Sequence, residues 1–393
     1  MNNIKKFERR WYFPVVILFM VPLAGMGIDI YVPSLPAITT AFYTSMHLVK
    51  LTIAFYLFGY AVGPLLFGAL SDSYGRKKIL AIGVFLYIIS CLLIIISGNI
   101  YFMLVMRFIQ GFTIGAVGAI FKAIMSDSYD ADTELHKISA MAATTWAIGP
   151  ILAPFIGGYL QHYFGWQANF VFLIIYALLI LFSLLIMPET NLQPIKLQGS
   201  SIVKNYLIVL RHPVFWSGVI GMGVVYSLIA IFNVVGPFLI QTVMHYSPIQ
   251  FGHIALVMGF AFFLGGIFNR ILVQKFNARF LVLSSILVMA LASILLLILG
   301  LLFPPKLYYY IIPSFIILFF SAPIFPAGMA KSMSLFPKIA GSASAVMGFL
   351  FTAFTAITTV VASFLVSSNQ ISSAIAYLVL IAICFLAYQL LNK

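Results

Sequence analysis

Long apolar stretches alternate with short polar stretches along the whole chain. A helix needs about 20 apolar residues to cross the hydrocarbon core of a bilayer. Strands of a membrane barrel would give short segments of alternating polarity, whereas these stretches are continuous. The pattern therefore predicts an all-α membrane protein with 12 transmembrane helices, near residues 12–33, 49–70, 79–98, 101–124, 138–160, 166–187, 214–240, 249–269, 280–303, 307–330, 341–366 and 372–391.

The longest polar stretch runs from Pro188 to His212, between the sixth and the seventh predicted helices. It separates two sets of six helices, which indicates a duplication. We predict an N-terminal six-helix half at 1–190, a cytoplasmic linker at 191–212 and a C-terminal six-helix half at 213–393.

The composition supports a membrane protein. Hydrophobic residues make up 63% of the 393 positions and charged residues 7%, whereas soluble domains carry about 25% charged residues. The net charge is +13, but the basic residues form short clusters between apolar stretches. Nucleic-acid binding would require them on a soluble basic face, so we predict no nucleic-acid partner.

The basic residues also predict the orientation. If both termini are cytoplasmic, the inner segments hold 17 of the 21 Lys and Arg residues, and the outer loops hold only Lys50 and Lys306. The remaining two, Arg107 and Lys122, lie inside predicted helices. Cytoplasmic loops are enriched in Lys and Arg, so this division predicts cytoplasmic termini.

The acidic residues are confined to one half, because all eight lie at or before Glu189. Asp29 alone lies well inside a predicted helix, where a charged side chain costs about 2.5–3.5 kcal/mol on insertion scales. Loss of water around a carboxyl group favours its neutral form. Asp29 is therefore predicted to take up and release a proton near neutral pH; the alternative is a structural acid near the outer membrane edge.

Arg107 is a second charge inside a predicted helix, in the outer third of the fourth. A guanidinium does not lose its proton in proteins. We predict that Arg107 responds to the ionisation of Asp29, directly or through water. The alternative is a helix-packing residue bonded to backbone carbonyls.

Four sequence motifs narrow the class. The turn after the second helix reads GALSDSYGRKK from Gly68, and the fourth helix contains RFIQGFTIG from Arg107. The fifth helix contains GPILAPFIGG from Gly149. These three resemble the signature loop, the R-x-x-x-G motif and the antiporter motif of the major facilitator superfamily, with Ala153 in place of one glycine. The first helix reads GIDIYVPSLPAI from Gly27, which is similar to the Bcr/CflA group of drug:proton antiporters.

The resemblance implies a monomeric exporter with a major facilitator fold in a bacterial inner membrane. It would exchange drugs or drug-like small molecules for protons by alternating access. Alternatives are export of an endogenous metabolite or siderophore, and nutrient uptake by symport, which the antiporter motif disfavours. A membrane sensor without transport is a further alternative.

The resemblance also implies roles for two groups of residues. A conformational latch on the cytoplasmic side would pair with residues 341–344 and consists of Gly68, Asp72, Gly75, Arg76 and Lys77. The alternative for that loop is solvation and topology alone. The antiporter motif is formed by Gly149, Pro150, Pro154, Gly157 and Gly158.

Large aromatic and polar side chains in the predicted helices are candidates for a substrate cavity. An apolar wall with few polar groups suits a large, poorly hydrated ligand. Lys122 lies one turn from the inner end of the fourth helix, so it either reaches the cytoplasm, pairs with Asp127 or attracts an anionic substrate. The predicted cavity residues are Tyr56, Lys122, Trp146, Tyr226, Asn233 and Phe354.

Motifs for chemistry are missing from the sequence. The six His residues are scattered without metal-ligand spacing, and no phosphate-binding GxxxxGK[ST] loop occurs. We therefore predict that the protein is not an enzyme, holds no metal or cofactor, and draws its energy from the proton gradient.

Overall fold

The computed structural model describes residues 12–129, 134–192 and 206–391. Within these ranges there is no strand, and 12 helices are long and apolar enough to cross a membrane. The predicted all-α membrane fold is confirmed. Parts of the orientation and linker predictions lie outside the described residues, namely Lys5, Lys6, Glu8, Arg9, Arg10, Asp130, Asp132, Lys196, Lys204 and Lys393.

The membrane-crossing helices are numbered in chain order. The N-terminal half contains α1 (Phe13–Ala41), α2 (Met46–Tyr74), α3 (Arg76–Ile95), α4 (Ile100–Ser128), α5 (Lys137–Phe164) and α6 (Gln167–Ile186). The C-terminal half contains α7 (Pro213–Val243), α8 (Pro248–Leu272), α9 (Ala278–Leu302), α10 (Leu307–Ser334), α11 (Ala340–Ser363) and α12 (Ile371–Leu391). We call the end with the α2–α3 turn the inner end, following the predicted orientation, and the opposite end the outer end.

Two helix pairs form the main contact between the halves, α2 with α11 and α5 with α8. Within the N-terminal half, α2 packs closely on α4 because glycines remove the side chains between them. A Cβ atom on Gly111 would overlap the backbone of Tyr56, and one on Gly115 would lie 2.7 Å from the Cα of Gly63. This contact fixes the wall behind the buried charges.

Prolines interrupt the first helix of each half. In α1, the α-helix Pro22–Asp29 is followed by a 3₁₀ turn at Val32–Ser34. In α7, the α-helix Pro213–Pro237 continues as a π-helix at Phe238–Val243. Proline removes a backbone donor and crowds the preceding turn. Interrupted helices near the middle of a transporter bundle commonly border its site.

Glycine makes the reversal between α2 and α3. The sequence predicts a loop over Gly68–Lys78, but α2 continues to Tyr74 and α3 begins at Arg76. Gly75 alone lies between them, with φ +97, in the left-handed region that side chains disfavour. Gly68 lies within α2, so Gly75 is the glycine of the motif that makes the turn.

The position of Lys50 differs from the predicted one. The sequence places it in an outer loop, but it lies in the first turns of α2 and is only 2% exposed. The apolar stretch predicted to begin at residue 49 starts earlier as a helix because Ser45 caps it by accepting a hydrogen bond from Leu48 N.

Candidate functional site

Asp29 and Asn233 join the two halves where their first helices are interrupted. Asn233 Nδ2 donates to Asp29 Oδ1 over 2.7 Å, and both residues are buried. Each lies four residues before a proline, Pro33 in α1 and Pro237 in α7. This shared spacing is the sequence signal that would have paired them. Asn233 was predicted as a cavity residue, and it instead holds the carboxyl group predicted to carry the proton.

The Arg107 guanidinium is fully buried beside the segment that carries Asp29. Its Nη1 donates to Gly27 O over 3.1 Å and to the Gln110 side chain, and its Nε donates to Thr52 O over 3.4 Å. Nη2 is buried and has no acceptor among the described residues. Arg107 is therefore bonded to carbonyls, as the packing alternative proposed, and keeps one donor for a further partner.

Aromatic rings supply the rest of the surroundings of Arg107. The guanidinium carbon lies 4.2 Å from the centroid of Tyr31 and 4.4 Å from that of Tyr56. Such cation–π contacts stabilise a charge without a carboxylate. Tyr56 is fully buried, and its hydroxyl donates to Ala24 O over 2.9 Å. The prediction that Tyr56 lines the cavity is wrong for this conformation, because its ring packs against Arg107.

Asp29 and Arg107 do not form an ion pair in this structure. Among the described residues, the carboxylates within 4.0 Å of a cation are those of Asp72 and Asp127, and both contact Arg76. The neutral amide of Asn233 is the hydrogen-bond partner of Asp29. Because Arg107 is compensated by carbonyls and rings, Asp29 need not be ionised to satisfy it.

Aromatic side chains of both halves meet on the inner side of Asp29 and Arg107. The ring of Trp146 in α5 lies 5.8 Å from the ring of Tyr226 in α7. Tyr226 also packs against Phe351 at 5.3 Å and Phe325 at 5.5 Å. Phe354 covers Gly223 of α7, and a Cβ there would lie 2.7 Å from its ring. Trp146, Tyr226 and Phe354 are all half-buried, so they keep surface for a ligand.

Lys122 lies on α4 with an exposed side chain, and its Nζ is 5.8 Å from the centroid of Phe121. The predicted pairing with Asp127 is wrong, because Asp127 Oδ2 accepts from Arg76 Nε over 3.0 Å. No carboxylate of the described ranges comes within 4.0 Å of Lys122. Access to the cytoplasm and attraction of an anionic substrate remain predictions.

The halves are joined at the outer end. Lys50 Nζ in α2 donates to Leu365 O and to Ser367 Oγ, each over 2.8 Å. His47 Nδ1 lies 2.9 Å from Ser363 Oγ at the end of α11. Sequence reasoning missed Lys50 and His47 because their partners lie more than 300 positions away. The outer end of the bundle is therefore closed.

The α11 helix faces open space towards the inner end. A Cβ atom on Gly341 or on Gly348 would meet no atom within 4 Å. The hydrogen bonds that join the halves within the described ranges all lie in the outer half of the bundle. Hydrogen bonds between described residues thus join the halves on the outer side, and the inner part of α11 has free space beside Gly341 and Gly348.

Comparison with known proteins matches residues 17–359 to the Major Facilitator Superfamily. The chain belongs to the Major Facilitator Superfamily. It superposes on a crystal structure of the peptide transporter POT in complex with sulfate with a TM-score of 0.76, 13% sequence identity, and coverage of 98% of this chain and 97% of that one. The predicted major facilitator fold is confirmed.

Its relatives in this superfamily include uncharacterized transporters and a drug resistance protein. An uncharacterized transporter of Rickettsia bellii is 30% identical over 66% of this chain, which spans only 64% of that relative. The MFS-type transporter YdgK of Bacillus subtilis is 31% identical over 85% of this chain and 84% of its own length. The chloramphenicol resistance protein CraA of Acinetobacter baumannii is 27% identical over 78% of this chain and 73% of its own length. The predicted relationship to bacterial drug resistance transporters is confirmed.

The superfamily signature loop forms an ion network inside the N-terminal half. Arg76 pairs with Asp72 and with Asp127. The backbone nitrogens of Arg76 and Lys77, at the start of α3, donate to the two carboxylate oxygens of Glu189 over 2.8 and 3.1 Å. A carboxylate at a helix N-terminus satisfies its free N–H groups. Glu189 is a residue of this corner that the sequence prediction omitted.

The predicted latch to residues 341–344 is not formed in this structure. The Asp72 and Arg76 side chains are engaged within their own half, and the space beside Gly341 is open. The reason is that Asp72 and Asp127 are both paired with Arg76 within the N-terminal half. The latch stays a prediction for a conformation that is closed inside.

The antiporter motif packs α5 against both halves. A Cβ atom on Gly149 would lie 2.9 Å from Pro22 O of α1, and one on Gly158 would lie 2.5 Å from Pro248 O of α8. Gly157 approaches the backbone of Ile30. Pro150 contacts Gly25, and Pro154 O contacts Gly252 of α8. The motif thus lets α5 pack closely against α1 within its own half and against α8 of the other half, and a side chain at these glycines would disrupt the contacts.

Proposed function

We propose that this protein is a proton-coupled exporter that exchanges drugs or drug-like small molecules for protons. The observation that carries the proposal is the buried hydrogen bond between Asp29 and Asn233 across the outer closure. Asp29 is the buried carboxyl group of the described membrane helices, and it lies at the contact between the halves that would open to the outside during transport. The kinship with a chloramphenicol resistance protein supports the drug class.

The coupling follows from the cost of burying a charge. A protonated Asp29 is neutral and is tolerated in the closed outer interface against the Asn233 amide. Loss of the proton to the cytoplasm leaves a buried carboxylate, which destabilises that closure and favours opening to the outside, where water solvates the charge. Protonation from outside then restores the closed state. This order links outward movement of substrate to inward movement of protons.

The substrate site is proposed at the half-buried aromatic residues below Asp29. Trp146 and Tyr226 approach each other from opposite halves, so rocking of the halves would change their separation. Such rings provide apolar contact area and offset stacking to amphiphilic aromatic compounds. Lys122 lies exposed nearer the inner end and would favour compounds that carry a negative group.

The superfamily and the fold are those of transporters, which are not enzymes. The chain is a multi-pass membrane protein. We propose that it works as a monomer in a bacterial inner membrane, with both termini cytoplasmic and no cofactor. The proton gradient would supply the energy.

The proposal can be tested in proteoliposomes with an imposed pH gradient and a panel of antibiotics, dyes and siderophores. Addition of a substrate to the wild type should release protons from an acidified lumen. Asp29→Asn should reduce this release to the level of protein-free vesicles, because the amide cannot titrate. Glu134→Gln removes an exposed acid of the same half and should retain wild-type release. Full proton release by Asp29→Asn would contradict the coupling role.

The same panel separates the substrate classes. Release with chloramphenicol or cationic dyes supports drug export, whereas release with siderophores alone supports export of an endogenous compound. Lys122→Ala should weaken transport of acidic compounds more than that of cationic ones. Equal effects on both would show that Lys122 lies outside the substrate path.

A further inference from the structure

Two basic side chains of α2 hold the C-terminal end of α11 at the outer end of the bundle. His47 Nδ1 lies 2.9 Å from the hydroxyl of Ser363, which is the last residue of α11. Lys50, one turn further along α2, donates to Leu365 O and Ser367 Oγ. The last carbonyls of a helix carry partial negative charge, which favours cations beside them. His47 is half-buried, so its ring keeps contact with the outer solution.

The Ser363 hydroxyl determines which ring nitrogen of His47 carries a hydrogen. Ser363 Oγ donates its single hydrogen to Val360 O over 2.6 Å, within α11. It can therefore only accept from the imidazole, so His47 Nδ1 is the donor. Nε2 is then the nitrogen that takes up a further proton, and the bond to Ser363 persists in the imidazolium form. Because the donor is charged in that form, the bond becomes stronger.

The Phe364 ring provides another contact that favours the imidazolium form of His47. The centroids of the two rings lie 4.1 Å apart, with 32° between their planes. A cation over an aromatic face is attracted by the charge distribution of the ring. The Ser363 hydroxyl, the Phe364 ring and the end of α11 therefore all stabilise a proton on His47, and all three belong to the C-terminal half.

The charges that oppose this protonation belong to the same half as His47. Lys50 lies on the same helix, and Arg107 of α4 bonds to Thr52 O, deeper along α2. Their repulsion acts whether or not α2 touches α11. Tyr43 and Tyr101 are the nearby tyrosines of this half; both are exposed, and tyrosine hydroxyls are uncharged near neutral pH. Titratable and charged side chains are absent from the neighbouring segments of the outer end, 35–42, 238–243 and 340–370.

We infer that His47 is a proton-binding site separate from Asp29, and that its protonation from the outer side holds the outer end closed. A ligand shifts a conformational equilibrium by the difference between its affinities for the two states. The proton on His47 has this difference, because its stabilising contacts exist only while α2 touches α11. Imidazole titrates at about pH 6.5 when unperturbed. The closure is therefore strengthened as the outer pH falls and weakened as it rises, whether or not Asp29 carries protons.

Distance measurements on the full chain in lipid nanodiscs test this inference. Spin labels at the outer ends of α2 and α11 report the ratio of open to closed molecules, and every variant carries Asp29→Asn so that Asp29 cannot titrate. We expect this ratio to rise at least about threefold between about pH 5.5 and about pH 8.5. Adding His47→Gln, which keeps a hydrogen-bonding side chain that takes up no proton, should abolish the rise. The control His162→Gln removes an exposed outer histidine of α5 and should keep it.

A second variant reverses the expected direction. His47→Arg places a permanent cation beside the end of α11, so it should keep the outer end closed at both pH values, whereas His47→Gln should leave it more open at both. Such opposite results would identify the charge at position 47 as the cause. An undiminished pH response with His47→Gln would overturn the site. A response that is already lost with Asp29→Asn alone would assign it to Asp29 and would also overturn the inference.

Discussion

The two halves share a helix arrangement and differ in their charges. The N-terminal half holds all eight acids and the buried Arg107. At its inner end, Asp72 and Asp127 pair with Arg76, and Glu189 accepts from the N-terminus of α3. The C-terminal half holds none of the acids and provides a neutral partner, Asn233, together with aromatic surface. The comparison teaches that duplication preserves packing, while ionisable groups can be kept in one copy and replaced by neutral ones in the other.

The largest expected effect comes from Arg107, whose charge has no counterpart in the C-terminal half. Arg107→Met should destabilise the protein by about 3 kcal/mol or more, since it leaves the acceptors of Gly27, Thr52 and Gln110 buried without donors. Thermal unfolding in detergent measures this loss. Arg107→Lys keeps the charge but not the planar fork, and should lose less. An unchanged melting temperature in Arg107→Met would refute the structural role.

Moving the acid between halves tests whether the asymmetry itself matters. The swap Asp29→Asn with Asn233→Asp keeps one amide and one carboxyl at the 2.7 Å contact. We expect it to regain part of the proton release that Asp29→Asn loses, because the carboxyl stays in the outer closure but moves away from the backbone that Arg107 binds. Proton release in vesicles measures this. Full recovery would show that the half carrying the acid is irrelevant.

Lys50 tests the closure between the halves. Lys50→Met removes the ammonium bonds to Leu365 O and Ser367 Oγ, each worth about 1.5–3 kcal/mol for a charged donor. The population with an open outer end should rise at least about tenfold. Distance measurements between spin labels at the outer ends of α2 and α11 would detect it. Lys306→Met, which removes an exposed outer cation, should leave the distances unchanged.

The smallest expected effects compare glycines at the inner ends of α2 and α8. Gly75→Ala should destabilise the protein by about 1–3 kcal/mol, since it forces a side chain into positive φ and towards Glu189. Gly266→Ala should be neutral or stabilise by up to about 1 kcal/mol, since its Cβ meets no atom within 4 Å in a helix. Melting temperatures of the two variants should therefore shift in different directions or by clearly different amounts.

Sequence reasoning succeeded where a property is local. Each membrane helix buries its own backbone hydrogen bonds, so a stretch of apolar residues is enough to predict it. It failed for Lys50, because the helix already begins after the Ser45 cap and Lys50 is buried where the two halves meet. It also offered Asp127 as one alternative partner of Lys122, whereas Asp127 pairs with Arg76 of another helix. Such contacts depend on how helices pack, which hydropathy does not encode.

The sequence by itself determined the number of helices, their grouping into sixes, and the confinement of every acid to the first 189 residues. These follow from hydropathy and inventory, which are fixed before folding. Only the tertiary structure decided that Asp29 contacts Asn233 and that Lys50 joins the halves at the outer end. It also decided that ion pairs fill the inner end of the N-terminal half, whereas a cavity lies at the inner end of the C-terminal half. The physical reason is that a buried polar group needs a partner, and folding alone brings residues 204 or 315 positions apart into contact.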